Sequence, residues 1–213
     1  MDAQQHSLRM VEEGGKSLGN DLHLLENYRV ILASNSPRRK ELLGGLGIPF
    51  EVHTLQGIDE SYPDILKGEE IPMYISGKKA EAYRQNMADD ELIITADTIV
   101  YDNGIVLGKP KGREEAIRML HELSGHTHEV ITGVSIVTRK KTVQFASTSK
   151  VFFAPLTDEE IIYYVDHYQP FDKAGAYGIQ EWIGYVAVTR IEGSYFNVMG
   201  LPIQRLYTEL RNF

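Results

Sequence analysis

The sequence contains no cysteine. That excludes a disulfide scaffold, a thiolate metal site and a cysteine nucleophile. It also lacks a basic excess: 22 Lys and Arg stand against 30 Asp and Glu, a formal net charge of -8. Broad nucleic-acid binding needs surplus cations to replace phosphate counterions, so that partner class is excluded. A single triphosphate is not, because a few clustered cations suffice for it. No apolar run approaches the roughly 20 residues of a membrane span. The opening stretch, MDAQQHSLRMVEEGGKSLGNDLHLLENY, has no basic n-region and no apolar h-region, so it does not read as a signal peptide. These absences predict a cytoplasmic enzyme with no nucleic-acid and no membrane partner.

At 213 residues, 42% of them apolar and 24% charged, the chain can bury one compact domain or two lobes around a shared cleft. Residues 1–27 read as a partly ordered extension, because Gly14, Gly15 and Gly19 interrupt any long helix while Leu22, Leu24 and Leu25 suit a short one. The remainder, 28–213, reads as a single α/β domain. A strand is predicted from Tyr28 to Ala33, then a helix from Arg38 to Leu46 with Ser36 as N-cap and Pro37 at its first position. Ile48 to His53 reads as a short strand and Ile71 to Met87 as a helix. Glu91 to Ala96 reads as a strand that delivers Asp97 at its end. Asp102-Asn103-Gly104 between two apolar runs is a hairpin signal, since Asn-Gly accepts positive φ. A helix over Glu114–Leu123, two long alternating antiparallel strands over Glu129–Arg139 and Thr142–Phe153, and a capping box at Thr157 opening a further helix follow. A strand from Gly184 to Arg190 and a last helix from Pro202 to Leu210 complete the pattern. Helices and strands mix without strict alternation, which predicts a mixed, twisted β-sheet with flanking helices.

Several residues are suited to chemistry. Leu32-Ala33-Ser34-Asn35-Ser36-Pro37-Arg38-Arg39 carries a strand into a helix N-terminus, where unpaired N–H groups and the helix dipole favour an anion. Arginine in a first helical turn opposes the dipole unless an anion offsets it. Taken alone, the segment is equally a solvated surface turn. Asp97, in Thr95-Ala96-Asp97-Thr98, is placed to hold a divalent cation or orient a water, though Asp at a strand end is also ordinary turn chemistry. Asp59-Glu60 is a second acidic pair in a polar loop, either a metal ligand or a solvated charge. Lys79, with Lys78 beside it, and Lys109, fixed between Gly108 and Pro110, supply cations of the kind that stabilise charge on transferring phosphates. In Lys173-Ala174-Gly175-Ala176-Tyr177-Gly178-Ile179-Gln180, small residues let backbone approach a ligand, and the Gln180 amide offers a donor and an acceptor side by side. A uracil or thymine imide edge matches that pair; a glycine-rich turn with a surface Gln is the plainer alternative. His126 and His128 have no third ligand nearby in sequence, so no zinc site is assigned and His128 is read as structural.

The order and content of these segments resemble the Maf family: LASNSPRRKELL, Lys79-Ala80, ADTIV, LGKP, LSGHTHEVITGV, KAGAYGIQ and GSYFNVMGLP occur in that sequence from Tyr28 to the C-terminus. The resemblance implies a nucleoside triphosphate pyrophosphatase of Maf- and ITPase-like architecture, two lobes around a central cleft. It implies a divalent cation, Mg²⁺ or Mn²⁺, held by Asp97 and Glu60, and frequently a homodimer. The family's general base falls on Asp97, its other catalytic positions on Glu60, Lys79 and Lys109, and its phosphate-binding turn on Ser34, Arg38 and Arg39. The branch preferring dTTP and UTP has Arg after Ser-Pro, Thr after the Asp and Gln after Gly-Ile, as Arg38, Thr98 and Gln180 stand here. The branch acting on 7-methyl-GTP puts Trp at the Arg38 position. Thr98 and Gln180 are therefore expected to read the pyrimidine. Two departures stand out: a long segment before Tyr28, and Ser76-Gly77-Lys78 in place of a better helix-forming stretch. A second reading, a nucleotide-binding regulator of septum formation with little turnover, needs the arginine turn and Gln180 but not Asp97 with both lysines. A general phosphatase would release orthophosphate first.

Overall fold

A computed structural model describes residues 25–213, so all but the last three residues of the expected extension, with Leu22 and Leu24 of its expected short helix, lie outside the described residues; Leu25, the third leucine of that helix, is buried in a short 3₁₀ turn over 25–27. In chain order the elements are β1 (Arg29–Leu32), α1 (Pro37–Gly44), β2 (Glu51–Val52), α2 (Glu70–Arg84), β3 (Glu91–Asp102), β4 (Ile105–Leu107), α3 (Arg113–Leu123), β5 (Thr127–Val137), β6 (Thr142–Phe153), α4 (Asp158–Tyr168), α5 (Trp182–Ala187), β7 (Val188–Glu192), α6 (Tyr195–Met199) and α7 (Ile203–Arg211). The strands form one seven-stranded mixed sheet in the order β2-β1-β3-β5-β6-β7, with β4 hairpinned onto β3. β1 runs parallel to β2 and β3; the remaining pairs are antiparallel.

Alternation along β3 assigns its two faces. Ile93 and Ile99 pack under α2, in clusters with Ile71, Ile75 and Ala80, and Thr95 donates to the Ser76 carbonyl of α2 at 2.7 Å. Leu92, Ile94 and Ala96 face the other way into a cluster with Leu43 of α1 and Leu206 and Leu210 of α7. On that same face Val100 joins a second cluster with α3, α4 and α5. Among the described residues, α2 packs on one face of the sheet and two apolar clusters form on the other. On that second face Thr98 Oγ1 meets Thr132 Oγ1, which also donates to the Asn197 carbonyl. Close approach of α2 depends on Gly133 in β5, where a Cβ would collide with the Pro72–Met73 backbone.

The local signals for α1 and α4 hold. Ser36 caps α1 by accepting from the Arg39 N–H, Pro37 is its first residue, and Thr157 and Glu160 form a reciprocal capping box on α4. Asn103 and Gly104 take φ of 48° and 82° in the β3–β4 hairpin.

Three expectations are corrected. Asp97 does not end a strand: β3 continues for 12 residues, because β5 pairs with it without interruption from Ile93↔Val137 to Tyr101↔Glu129. The expected strand over Gly184–Arg190 is helix α5 followed by β7; Ile183 and Ala187 are buried in the α3–α4–α5 cluster while Tyr185 between them is exposed, which fits a helix, because a strand would put all three on one face. β2 is only two residues long, not six. A short helix, α6, was not expected at all; Ser194 caps it by accepting from the Asn197 N–H.

Candidate active site

β3 is paired with β1 up to Ile94, where Ala33 N–H donates to the Ile94 carbonyl, and with β4 only from Val100 onward. Between them, the Thr95–Ile99 stretch has no strand partner on that edge among the described residues. This gap in the sheet opens a cleft of about 400 Å³. Because a strand's side chains alternate, the gap is reached from both faces: Asp97 from the α2 side, Thr98 from the other. The chemical expectation for a strand end is therefore met by a missing neighbour in mid-strand.

The structure brings the expected residues together. Ser34, Arg38, Arg39, Glu60, Lys79, Thr98, Lys109 and Gln180 line the cleft, and Asp97 stands just behind Lys79. In the β1–α1 turn, Ser34 Oγ accepts from the Ser36 N–H at 3.1 Å and Ser36 Oγ from the Arg39 N–H at 3.3 Å. Arg38 Nε donates to the Met199 carbonyl at 3.1 Å; Arg39 Nε donates to the Gly200 carbonyl at 2.8 Å and its Nη2 to Thr98 Oγ1 at 3.0 Å. Both guanidiniums are thus moored to the end of α6 by neutral acceptors. Thr98 Oγ1 is also 2.8 Å from Thr132 Oγ1, so the hydroxyl expected to read a base also holds Arg39. Burial lowers the Arg39 pKa from its ordinary value, opposed by Asp97 and reinforced by Arg38.

On the α2 side, Lys79 Nζ sits 3.1 Å from Glu60 Oε1, 3.3 Å from Asp97 Oδ1 and 3.3 Å from the Ala96 carbonyl. Lys78 points elsewhere, to Asp59 at 3.0 Å and the Ser61 carbonyl at 2.9 Å. Helical phase settles which lysine enters the cleft: neighbours on a helix stand about 100° apart. Burial raises the Asp97 pKa, with Lys79 and Arg39 partly countering it. Its Oδ2 is buried with no hydrogen-bond partner among the described residues, an unusual condition for a carboxylate oxygen. Lys109 is exposed at the cleft rim and has no ion-pair partner among the described residues. Gln180 Oε1 likewise lacks a partner.

His128 is buried, 2.6 Å from the Tyr177 hydroxyl, and burial pushes its pKa down to about 4, so the ring is neutral. His126 is exposed and shares no cluster with it; no group of three His, Asp or Glu is arranged for a metal among the described residues. Trp182 packs edge-on to Tyr163 at 4.8 Å. What the residue types did not reveal was the role of GSYFNVMGLP, whose contribution is two main-chain carbonyls. The available signal was the capping Ser194 and the stop at Gly200, which takes φ of 123°.

A family model described as Maf-like protein matches residues 29–213. A dTTP/UTP pyrophosphatase of Phocaeicola vulgatus is 63% identical over 190 residues, covering 89% of this chain and 98% of that protein. One from Parabacteroides distasonis, named in the same way, is 61% identical over 192 residues, covering 90% of this chain and 100% of that protein. Among solved structures, a HAM1 protein from Coxiella burnetii aligns over 87% of this chain and 100% of its own at a TM-score of 0.45 and 15% identity, too loose a likeness to bear on the chemistry.

Proposed function

This chain belongs to the Maf family, and from that premise we propose that it hydrolyses dTTP and UTP to the monophosphate and pyrophosphate. The observation that carries the reading is the cleft itself. A protein of net charge -8 gathers Arg38, Arg39, Lys79 and Lys109 around one hollow, with a buried carboxylate at its back. Such a concentration of cations suits a polyanion.

In this reading the triphosphate lies against the Ser34–Arg39 turn. The α1 N-terminus and the Arg38 and Arg39 guanidiniums hold phosphate oxygens, and Lys109 closes from the rim. Asp97 accepts a proton from water as the water oxygen bonds to the α-phosphorus; the bond from that phosphorus to the bridging oxygen breaks and pyrophosphate leaves. A carboxylate whose pKa is raised by burial is a better base near neutral pH than a solvated one. Gln180, which also lines the cleft, pairs with the imide edge of uracil or thymine, whose N–H would satisfy the lone Oε1. Thr98 contributes by holding Arg39 in place for the phosphates.

The residues fit a divalent cation. Asp97 Oδ2 lacks a partner, Glu60 is half exposed 3.1 Å across Lys79, and hard oxygen donors of this kind suit Mg²⁺ or Mn²⁺. Bound there, the ion would neutralise phosphate charge as it develops. We also read residues 28–213 as one catalytic unit with its cleft between two lobes, acting in the cytoplasm as a homodimer; light scattering on the purified protein tests the last point. No helix among the described residues is long and apolar enough to cross a membrane.

Pyrophosphate release from dTTP, UTP, CTP and GTP with Mg²⁺ tests the proposal. Release confined to the pyrimidine nucleotides, dTTP and UTP foremost, is expected. Tight binding without release would favour the regulator, and orthophosphate as first product a general phosphatase.

A further inference from the structure

We propose that Tyr164, Glu181 and Lys173 are positioning residues for nucleobase discrimination, fixing the segment that presents Gln180 to the cleft. This rests on the reading of Gln180 given above.

Gln180 cannot place its own amide. It makes no side-chain hydrogen bond among the described residues, and its Oε1 has no partner. Its position is inherited from the backbone on either side. That backbone is held by a closed chain of polar contacts. The Gly178 N–H donates to the Tyr164 hydroxyl at 3.1 Å, and that hydroxyl donates to Glu181 Oε1 at 3.2 Å. The same oxygen pairs with Lys173 Nζ at 3.2 Å, which also reaches Asp172 at 3.0 Å. The Lys173 and Glu181 side chains are only 13% and 19% exposed, so water does not replace these contacts cheaply. Glu181 and Lys173 close over Gly178 so tightly that a Cβ there would strike both. Gln180 lies between two points of this chain, Gly178 and Glu181, one residue from the latter.

Tyr164 is well chosen for the centre. It is fully buried on α4, and burial moves its ionisation far above the working range, so it is a permanent donor to Glu181 and a permanent acceptor from Gly178. The other end of the segment is moored as well: the Gly175 N–H donates to the Gly108 carbonyl at 3.1 Å, next to Lys109. The base-reading loop is therefore tied to α4 at one end and to the phosphate lysine's neighbour at the other. Discrimination between an imide edge and the amino-bearing edge of cytosine depends on sub-ångström placement of one amide. Loosening the chain should cost discrimination before it costs turnover.

The test uses the full chain with Tyr164→Phe, which removes one hydroxyl and keeps the ring, and Glu181→Gln as a second variant in case the first does not fold. KM and kcat are measured for dTTP and dCTP, with Gln180→Ala as reference. The expected result is a drop of about tenfold in the dTTP-to-dCTP ratio of kcat/KM, carried mostly by KM for dTTP, with kcat for dTTP within about threefold of wild type. Equal loss for both nucleotides, or no loss, in the folded variants overturns the inference. If Gln180→Ala collapses the ratio while Tyr164→Phe and Glu181→Gln do not, only the inference falls. If Gln180→Ala leaves the ratio intact, the reading of Gln180 falls with it.

Discussion

The cations on the two walls of the cleft are held in opposite ways. On the α1 wall, Arg38 and Arg39 donate to the Met199 and Gly200 carbonyls and to the Thr98 hydroxyl, all neutral acceptors. Their orientation is fixed and their charge is left available. On the α2 wall, Lys79 lies between two carboxylates, Glu60 and Asp97, which mask its charge. One wall is built to receive an anion in advance; the other is balanced until something displaces the lysine. On the function proposed above, the difference gives the walls separate tasks, binding for the arginines and the reacting chemistry for the Lys79–Asp97–Glu60 group.

The sharpest break in that comparison comes from Asp97→Asn. As a general base its loss should lower kcat by about 10²–10⁴-fold with KM little changed, whereas an arginine variant should act chiefly on KM. Its pH behaviour follows from burial. The folded carboxyl holds its proton to a higher pH than the unfolded one. Activity should therefore decline with acid from a point above the ordinary carboxylate range, as read in kcat/KM. The same shift makes the native state bind more protons than the unfolded state over that window, so folding stability falls as pH rises from the unfolded carboxylate value through the raised folded one. Asn cannot ionise, so the variant should be more stable than wild type to urea at neutral pH, with the gap closing as pH drops. An inactive variant that is also less stable at pH 7 would mean that Asp97 holds the fold and is not a strained base.

Next in size is the contrast between Arg39→Met and Lys79→Met. Arg39→Met should lower kcat/KM for dTTP by about 10–100-fold, since charge-assisted bonds to the substrate disappear and the Gly200 carbonyl and Thr98 hydroxyl lose their donor. Mn²⁺ binding to the nucleotide-free protein should barely change. Lys79→Met should lower kcat/KM too, but tighten that Mn²⁺ binding by about tenfold or more, because the ammonium no longer competes for the two carboxylates. Calorimetric titration of both variants reads this without reference to turnover. Equal Mn²⁺ affinity in wild type and Lys79→Met would erase the distinction between the walls.

Much of this was legible in the residues. The arginine turn, its cap at Ser36 and the apolar approach to Asp97 are local patterns, and local patterns survive translation into structure. The hairpin at Asn103-Gly104 and the capping box at Thr157 are legible for the same reason. Illegible features were those whose cause is tertiary. Asp97 looked like a strand terminus, yet β3 runs on because β5 supports it, and the opening comes from β1 stopping at Leu32 on the far edge. The arginine moorings are main-chain carbonyls, which carry no residue-type signature. Residues 184–187, the C-terminal part of α5, read as the start of a strand because Tyr185 and Val186 are of types enriched in strands, while burial of Ile183 and Ala187 against the α3–α4–α5 cluster decided for a helix.

The finest test uses the lysine next to Lys79. Lys78 pairs with Asp59, whose side chain is 70% exposed, and with the Ser61 carbonyl, so it staples the loop that carries Glu60 from outside the cleft. Two bonds from Ser61, then Lys78, hold the Asp59 carboxyl down at about 2, so this staple stays charged throughout the working range. Exposed pairs contribute little, and the Ser61 bonds remain without the lysine. Lys78→Met should therefore change kcat/KM by less than about threefold and leave Mn²⁺ binding as it was, one residue away from a substitution that alters both. If instead Lys78→Met weakens turnover as far as Lys79→Met does, the Glu60 loop depends on its outer staple, and the α2 wall extends beyond the carboxylate pair that now defines it.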